Sequence, residues 1–353
     1  MDSNYLKDLE PFSLDILKKN IFFKEKINKL TRYHYKNSKD YKRILKFMNY
    51  KLDIVDIKDL PFLPIRLFKE HNLKSISNNK VHKILESSGT TGNSLSQIFL
   101  DKGHSQNQVL VLSKIISSIL GKKRLPMLII DKDPKRYNRS KFNAKIAAIN
   151  GFSIFGKNQT YLLNEQNEID YDSLINFLRQ YSSAPFFMFG FTSSVFESLI
   201  DKLSIKKVNQ NFKNAILLHG GGWKKMENKK ISNFLFKQKI FKKLGIKKIF
   251  NYYGLIEQTG SIFLECEKCG CFSTSIFSDV IIRDKNFNVV TNGKRGMIQL
   301  LSLLPTSYPG HVILTEDIGE IVDNNGCDCN KTGKSFLVHG RAEKSEIRGC
   351  SDT

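Results

Sequence analysis

The chain has 353 residues, with 56 lysines and arginines against 34 aspartates and glutamates, for a formal net charge of +22. This length suffices for one large or two modest domains. Apolar runs such as 125–130 are far shorter than the roughly 20 residues of a membrane span, and the N terminus lacks the apolar core of a signal peptide. We therefore expect a cytoplasmic protein without a transmembrane segment.

The excess of lysine raises the alternative of nucleic-acid binding, because basic stripes are the footprint of phosphate-backbone recognition. The lysines, however, are scattered along the chain in pairs rather than gathered in one block. This distribution indicates that the excess of lysine is a general bias in composition and that the lysines lie on solvent-exposed surfaces. We expect no specific nucleic-acid partner, and attraction to anionic partners or membrane surfaces is a weaker alternative.

The predicted elements begin with helices and continue as an α/β alternation. Apolar residues at helical spacing predict helices before residue 50, with Ser13 as an N-cap. Prolines at 61 and 64 predict an extended brace over 60–69. Strands then alternate with helices, which indicates a sheet with parallel strands. The predicted strands are 81–85, 97–100, 125–131, 185–189, 214–218 and 248–251, and the helices are 104–120, 139–149, 171–181 and 192–203, with a helix-rich span over 224–244.

The run SSGTTG at 87–92 follows the first of these strands. Two glycines and four hydroxyl residues let the backbone fold back with N–H and O–H donors pointing inward, as in phosphate-binding loops. The run lacks the lysine of the Walker loop, so a P-loop NTPase is not expected. The alternative is a flexible Ser/Gly connector.

Two later strand ends carry residues suited to a ligand, which in α/β sheets binds beyond the carboxyl ends of the strands. Strand 214–218 runs into His219 and the glycines of 220–222, which would let a flat ligand lie against the backbone. The alternative is a tight turn. Strand 248–251 runs into two tyrosines and Glu257, for which we expect a Mg²⁺ or phosphate-side role rather than that of a solvated charge.

From about residue 260 the pattern changes to short strands, which indicates a smaller β-rich subdomain. It contains Asp317, which held in a turn would suit the two hydroxyls of a ribose, and Arg341, which suits a phosphate. The predicted strands are 261–265, 277–283, 296–301, 310–314, 319–322 and 335–338.

Five motifs, SSGTTG, HGGGWK, YYGLIEQ, TEDIG and HGR, occur in the order of the core motifs of the adenylate-forming (acyl/aryl-CoA ligase-like) superfamily, which they resemble. Within this superfamily, the motif sequences are similar to those of the acyl-protein synthetases of bacterial bioluminescence and their phenylacetate-CoA-ligase-like relatives. That similarity lies in PFLPIRLFK, ESSGTTG, YYGLIEQTGSIFLEC, DVIIRD at 279–284 and the terminal EIRGCSDT.

The resemblance implies ATP-dependent activation of a carboxylic acid, and a fatty acid suits this family. The product is an acyl-adenylate, whose acyl group passes to an enzyme cysteine as a thioester and then to a partner protein, a reductase or transferase. ATP and Mg²⁺ are the implied cofactors. By position, the phosphates of ATP would be held by Ser88, Gly89, Thr90, Thr91 and Gly92. The adenine would be bordered by Gly220, Gly221 and Gly222 and would stack on Tyr252 or Tyr253. Glu257 would face Mg²⁺, Asp317 would bind the ribose, and Arg341 would contact phosphate or ribose.

The sequence departs from the wider superfamily at two points. Asn93 and Ser94 stand where a Pro-Lys pair usually follows the phosphate loop, so no lysine of this loop is available to the phosphates. The chain also ends twelve residues after Arg341, whereas CoA-ligating relatives continue into a lid domain of about a hundred residues with a catalytic lysine. We expect this mobile lid to be largely absent.

The predicted fold is therefore α/β, like the N-terminal domain of adenylate-forming enzymes, with mixed and parallel sheets flanked by helices. We divide the chain into a helical N-terminal segment (1–60), an α/β nucleotide-binding core (61–259) and a β-rich subdomain with a short reactive tail (260–353).

The six cysteines suggest two roles. The family stores its acyl group near the C terminus, where Cys350 is the only cysteine, and nearby Arg348 would favour its thiolate. The alternative is an ordinary terminal thiol. The spacings Cys266-x-x-Cys269 and Cys327-x-Cys329 would suit a structural Zn²⁺, with Cys271 spare or substituting, or these are reduced free thiols.

Two other functions stay open. One is a ligase of the same superfamily that uses CoA or a carrier thiol, with Cys350 incidental. The other is a non-catalytic basic binding or scaffold protein that retains the fold. The substrate pocket is equally open, because its candidate residues would serve as well in the core. These candidates are Phe152, Phe186, Phe187, Phe189 and Phe191.

Overall fold

A computed structural model describes residues 4–50, 52, 56–87, 95–136, 144–208, 211–322 and 331–342. The α-helices are α1 (Tyr5–Asp8), α2 (Ile16–Asn37), α3 (Lys39–Phe47), α4 (Leu67–Glu70), α5 (Lys102–Leu120), α6 (Ala144–Ser153), α7 (Tyr171–Tyr181), α8 (Thr192–Val195) and α9 (Asn233–Leu244). The strands are β1 (Leu63–Pro64), β2 (Lys83–Glu86), β3 (Gln97–Leu100), β4 (Leu125–Lys132), β5 (Gly156–Leu163), β6 (Phe186–Phe191), β7 (Ala215–Gly220), β8 (Lys248–Tyr253), β9 (Phe263–Glu265), β10 (Phe272–Ser273), β11 (Ser278–Arg283), β12 (Gly296–Ser302), β13 (Val312–Val322) and β14 (Ser335–Arg341).

Short helical turns complete the described structure. A π-helix, Phe196–Lys202, continues α8, so the predicted helix over 192–203 changes its hydrogen-bond pattern after one α turn. The 3₁₀ turns are Ile57–Asp59, Asn78–Lys80, Pro134–Arg136, Ile205–Lys207, Lys224–Lys229 and Ile256–Gln258.

The chain folds into two compact units, each assembled from separate stretches. Among the described residues, unit 1 takes 4–87, 95–115 and 254–342, and unit 2 takes 116–253. The division at residues 60 and 259 made from the sequence follows the chain and stays a prediction.

Unit 2 is built on a parallel sheet in the order β8-β7-β6-β4-β5. Strands β6 and β7 are buried along their whole length, as expected for parallel strands covered on both faces. One face packs against α7, α9 and the π-helix, through residues such as Phe186, Leu217 and Ile240. This unit confirms the predicted α/β class.

Unit 1 contains a mixed sheet in the order β11-β12-β13-β14-β10-β9. Its neighbouring strands are antiparallel, and the short β1 joins β13 in parallel, with Leu63 opposite Ile313. Strands β2 and β3 form a separate antiparallel pair.

The N-terminal helix α2 packs on unit 1. Its buried Phe23, Ile27 and Leu30 cluster with residues of β11, β12 and β13. The predicted N-cap Ser13 is wrong. Asp15 caps the helix instead, because its carboxylate accepts a hydrogen bond from the backbone N–H of Lys18.

Several other predictions are corrected. The strands expected at 310–314 and 319–322 are one continuous strand, β13. Asp317 therefore lies inside a strand and not in a turn. The brace at 60–69 ends in the helical turn α4. Strand β5 was not predicted, because its exposed residues Lys157, Asn158 and Gln159 hide the apolar pattern.

Candidate nucleotide site

The SSGTTG loop lies largely outside the described residues, which exclude 88–94 and with them Ser88, Gly89, Thr90, Thr91 and Gly92. Its base is described. The backbone N–H of Ser87 donates to the carbonyl of Ser96 at 3.0 Å, and the N–H of Ser96 donates to Ser87 Oγ at 2.9 Å. The first bond continues the β2–β3 ladder, and the second, accepted by a side-chain oxygen, holds Ser87 and Ser96 together at the end of the pair that the loop connects.

In unit 2, the glycine run begins at the carboxyl end of β7, where the sequence predicts a ligand. A Cβ built on Gly220 would lie 2.3 Å from the ring of Tyr252, so only glycine fits against this tyrosine. Gly221 has a φ of +78°, the left-handed region that favours glycine. A Cβ on Gly222 would meet nothing within 4 Å. Gly220 is therefore required by its contact with Tyr252 and Gly221 by its backbone conformation, whereas neither reason applies to Gly222.

Tyr252 and Tyr253, successive residues of β8, project to opposite faces of the sheet. The ring centroid of Tyr252 lies 4.9 Å from that of Phe152 and 6.5 Å from that of Phe189. Tyr252 therefore belongs to an aromatic cluster on one face, and both tyrosines are half-buried. Only one of them can reach any given ligand.

The five phenylalanines proposed for the substrate pocket are all buried. The rings of Phe152 and Phe189 stack at 4.4 Å, and Phe191 lies 5.9 Å from Phe189. Phe186 points to the other side, where it packs on Phe177 of α7. All five side chains are thus part of the buried interior, and their role in a substrate pocket stays a prediction.

His219, just before the glycines, has a partner that the sequence did not reveal. Its Nδ1 lies 3.0 Å from Oγ1 of Thr192, the first residue after β6. Burial lowers the pKa of His219 to about 3, with Lys237 adding to the effect, so the imidazole is neutral at pH 7. This pair joins the carboxyl ends of β6 and β7, and no sequence motif links residues 27 positions apart.

In unit 1, Glu257 lies in a 3₁₀ turn and is 3% exposed. Its backbone carbonyl accepts a hydrogen bond from the hydroxyl of Tyr308 at 2.8 Å. The neighbouring Gln258 donates through Nε2 to the carbonyls of Leu300 and Gly310. These bonds fix the turn from both sides, so the position of the Glu257 carboxylate is set by the fold.

Asp317 and Arg341 are brought together across the β13–β14 ladder, where they are direct partners. Arg341 Nε lies 3.8 Å from Asp317 Oδ1, with side-chain exposures of 33% and 14%. The backbone N–H of Asp317 donates to Thr315 Oγ1 at 3.1 Å. A carboxylate and a guanidinium thus sit side by side and remain accessible.

Arg66 of the PFLPIRLFK stretch has a partner that the sequence did not reveal. Its Nε donates to Oε1 of Glu316, the residue before Asp317. The parallel pairing of β1 with β13 brings the two stretches together. The only sequence signal was the motif itself.

The described cysteines lie on one hairpin between β9 and β10. The backbone N–H of Cys266 donates to the carbonyl of Cys271, and that of Gly270 to the carbonyl of Cys266. Cys266 and Cys271 are buried, and Cys269 is exposed. Burial raises the pKa of Cys271 to about 12, with its neighbours Cys269, Cys266 and Glu265 adding to the effect.

Residues 323–330 and 343–353 are outside the described part of the chain, so Cys327, Cys329 and Cys350 are too. Within the part that is described, no three His, Cys, Asp or Glu side chains are grouped so that they could hold a metal ion. No helix there is both long enough and apolar enough to cross a bilayer.

The fold is that of an adenylate-forming ligase. A crystal structure of 2-hydroxyisobutyryl-CoA ligase with 2-HIB-AMP, in the postadenylation state, matches with a TM-score of 0.71 at 12% identity, covering 94% of this chain and 69% of that one. An open conformation of that ligase, with 2-HIB-AMP and CoA, gives a TM-score of 0.70 at 13% identity and covers 94% and 77%.

The chain belongs to the acyl-protein synthetase family LuxE, whose family model matches residues 2–353. It is a ligase that activates an acyl group with ATP. Two similar proteins are named "Long-chain-fatty-acid--luciferin-component ligase". The one from Vibrio harveyi is 20% identical over 342 residues, covering 91% of this chain and 84% of that protein. The one from Aliivibrio fischeri is 21% identical over 360 residues, covering 93% and 87%.

Proposed function

We propose that this enzyme adenylates a long-chain fatty acid and transfers the acyl group to its own Cys350, from which a partner reductase or transferase collects it. The observation that carries the proposal is the family match over residues 2–353. The fatty substrate and the protein partner are supported by the names of the two relatives.

The proposed reaction has two steps. A carboxylate oxygen of the fatty acid bonds to the α-phosphorus of ATP while the bond to pyrophosphate breaks. The Cys350 thiolate then bonds to the acyl carbon, and AMP departs with the electron pair of the broken C–O bond. A thiolate suits the second step because it is a strong nucleophile near neutral pH.

In this proposal, residues of unit 2 contact the adenine. Gly220 and Gly221 form a turn that borders the adenine, with Tyr252 packed on Gly220. Gly222 follows them with open space at its Cβ position. Because one side of Tyr252 is covered by Gly220 and Phe152, Tyr253 is the better candidate to stack on the base.

In this proposal, residues of unit 1 bind the ribose, the phosphates and Mg²⁺. The Asp317 carboxylate would accept hydrogen bonds from the ribose hydroxyls, and Arg341 would contact phosphate or ribose. Glu257 would hold Mg²⁺ together with the phosphates of ATP. A single carboxylate fits that role, because Mg²⁺ usually takes one or two protein carboxylates, substrate phosphates and water. The loop residues Ser88 to Gly92 would hold the phosphates.

A structural zinc ion bound by Cys266, Cys269, Cys327 and Cys329 is a separate part of the proposal. It rests on the two cysteine spacings and on the short hairpin that carries the first pair. Metal analysis of protein purified without chelator is expected to give one zinc per chain, falling below half in Cys266→Ser. A metal-free wild-type protein with full activity would contradict it.

The decisive experiment is intact-protein mass spectrometry after incubation with ATP, Mg²⁺ and single carboxylic acids, followed by hydroxylamine. The acids should include octanoate, tetradecanoate, benzoate and 2-hydroxyisobutyrate. We expect a mass gain of one acyl group with the long-chain acid, removed by hydroxylamine because thioesters are cleaved by it. Cys350→Ser should abolish the gain and keep ATP–pyrophosphate exchange.

Cys271→Ser is the matched control, because Cys271 is a described cysteine outside the four proposed zinc ligands; it should keep the gain. AMP release that requires added CoA, without any acyl-enzyme, would favour the CoA-ligase alternative. Absence of ATP–pyrophosphate exchange with every acid would favour a non-catalytic protein.

A further inference from the structure

Helix α9 of unit 2 presents apolar side chains on two sides. Phe236, Ile240 and Leu244 are buried in the core of the unit. On the other side, Phe234, Leu235 and Phe241 are 76%, 37% and 49% exposed. Phe234 and Phe241 are seven residues apart, close to two helical turns, so both rings lie on one face. We call Phe234, Leu235 and Phe241 the apolar patch of α9.

The patch does not result from a poorly defined helix. The hydroxyl of Ser232 caps the N terminus by accepting a hydrogen bond from the N–H of Leu235. Gly245 ends the helix in the left-handed conformation, with its N–H bonded to the carbonyl of Phe241. Both ends are therefore fixed, and the exposed rings stand on a rigid element.

The surroundings of the patch are strongly basic. From 229 to 248 the sequence contains eight lysines and no acidic residue. Lys239 and Lys242 are exposed on α9, and Lys247 and Lys248 follow its C terminus. Lys213 also lies there, with its Cγ 3.5 Å from the Cβ position of Gly245. Cationic side chains thus border the apolar patch.

Three acidic side chains that precede α9 in the chain are paired with lysines. Asp201 pairs with Lys229, and Glu227 with Lys230. Glu197 is bound to Lys202. Burial lowers the pKa of Lys243 on α9 and Asp201 opposes this, so Asp201 also acts on the helix. Lys239, Lys242, Lys247 and Lys248 are exposed and lie in the stretch 229–248 without acidic residues, so their positive charge is available to an outside partner.

We propose that this face of α9 binds the surface of an anionic phospholipid bilayer. Phe234 and Phe241 would enter the boundary between headgroups and acyl chains, and the lysines would contact lipid phosphates. This is the composition of interfacial helices, which have aromatic or aliphatic residues on one face and lysines beside them. The described helices include none that could span a bilayer, so the contact is peripheral.

A bilayer fits better than the other polyanions. Positive charge alone would also attract nucleic acid, but a duplex offers no apolar layer for two phenylalanines. A short convex helix requires no shape complement from a fluid surface, whereas a protein partner would need one. The inference is independent of the proposed function, because it uses no residue of the nucleotide site.

The test is cosedimentation of the full chain with sucrose-loaded vesicles. Vesicles of phosphatidylcholine with 30% phosphatidylglycerol are compared with pure phosphatidylcholine at low and high salt. We expect binding to the anionic vesicles, weakened by high salt because surface charge is screened. The double variants Phe234→Ser/Phe241→Ser and Lys239→Glu/Lys242→Glu should each lower the partition coefficient by about tenfold.

The matched control is Lys46→Glu/Phe47→Ser in unit 1, where Phe47 is 90% exposed. It also removes one lysine and one exposed phenylalanine, and it should bind like the wild type. Circular dichroism and ATP–pyrophosphate exchange establish that each variant is folded.

Equal binding by wild type and both α9 variants would overturn the proposal. So would absence of vesicle binding, and a gel shift with a duplex oligonucleotide would then assign the face to nucleic acid.

Discussion

The two units of this enzyme are stabilised in different ways. Unit 2 follows a simple plan, in which apolar strands are covered by helices and the interior is made of residues such as Phe186, Leu217 and Ile240. Unit 1 has apolar clusters too, but among the described residues it also buries a lysine, an aspartate, two glutamates, an arginine and three histidines, whereas unit 2 buries one aspartate and one histidine, Asp131 and His219. Buried polar groups must find partners inside the protein, so unit 1 depends more on particular contacts and unit 2 more on packing.

The charged group of unit 1 is centred on Asp279. Its Oδ1 lies 3.1 Å from Nζ of Lys334. Burial raises its pKa, but Lys334 and Lys19 more than offset this and hold it below its usual value. Burial lowers the pKa of Lys19 to about 8, against the opposing effect of Asp279. Lys19 Nζ also donates to Thr274 Oγ1 at 2.8 Å, which ties α2 to the rest of the unit.

The largest effect should come from breaking this group. Asp279→Ala leaves two lysines without their common counter-charge, and we expect a loss of about 3–5 kcal/mol in the free energy of unfolding. Urea denaturation measures it. Lys19→Met, which removes a buried charge and keeps the chain length, should cost much less. Equal losses in the two variants would contradict the charge explanation.

In unit 2, a comparable loss of stability is expected from opening a cavity in the apolar core. Leu217→Ala on the fully buried strand β7 should lower the free energy of unfolding by about 2–5 kcal/mol. The loss should be the same at pH 7.5 and 5.5, because no charge is involved. Leu17→Ala is the control, since Leu17 is 73% exposed and should leave the urea midpoint unchanged.

Acid should weaken unit 1 more than unit 2, because three buried histidines of the described residues lie in unit 1 and one, His219, lies in unit 2. His34 donates through Nε2 to the carbonyl of Pro305 and accepts at Nδ1 from Ser75. Burial lowers the pKa of His34 to about 3 and that of His104 to about 4. Below pH 6.5 the unfolded chain therefore binds protons that the folded chain does not, and stability falls as the pH falls towards 4.

We expect His104→Phe to reduce the loss of stability between pH 7.5 and 5.5 by about 1.4 kcal/mol, since one such histidine costs about that much per pH unit. The replacement keeps a ring against Tyr308, with which His104 stacks at 5.4 Å. The matched control His82→Asn, at an exposed position, should keep the wild-type loss. An unchanged loss in His104→Phe would contradict the explanation.

The smallest effect on stability should come from the candidate site. Asp317→Asn breaks a partly exposed ion pair at 3.8 Å, which contributes at most about 1 kcal/mol. On the proposed role of Asp317 at the ribose hydroxyls, ATP–pyrophosphate exchange should nevertheless fall by about tenfold or more, because hydrogen bonds to a charged acceptor are lost. Arg66→Gln, which breaks the neighbouring pair with Glu316, is the comparison; a similar fall there would show that general loosening of β13 is responsible.

The sequence by itself determined the α/β class, the strands with continuous apolar runs and the order of the motifs, because hydrophobic periodicity and glycine turns are local properties. It placed Gly220 and Gly221 at a strand end, where the structure has them. It also supplied the family resemblance, since that depends on motif wording alone.

Only the tertiary structure decided which distant residues meet. Asp317 was expected in a turn, but ladder pairing made 312–322 one strand and set it opposite Arg341. Thr192 beside His219, and Asp279 beside Lys334, are long-range contacts that no local pattern encodes. The exposed patch of α9 was hidden for the same reason: periodicity shows that Phe234 and Phe236 are apolar, and only packing decides which of them is buried.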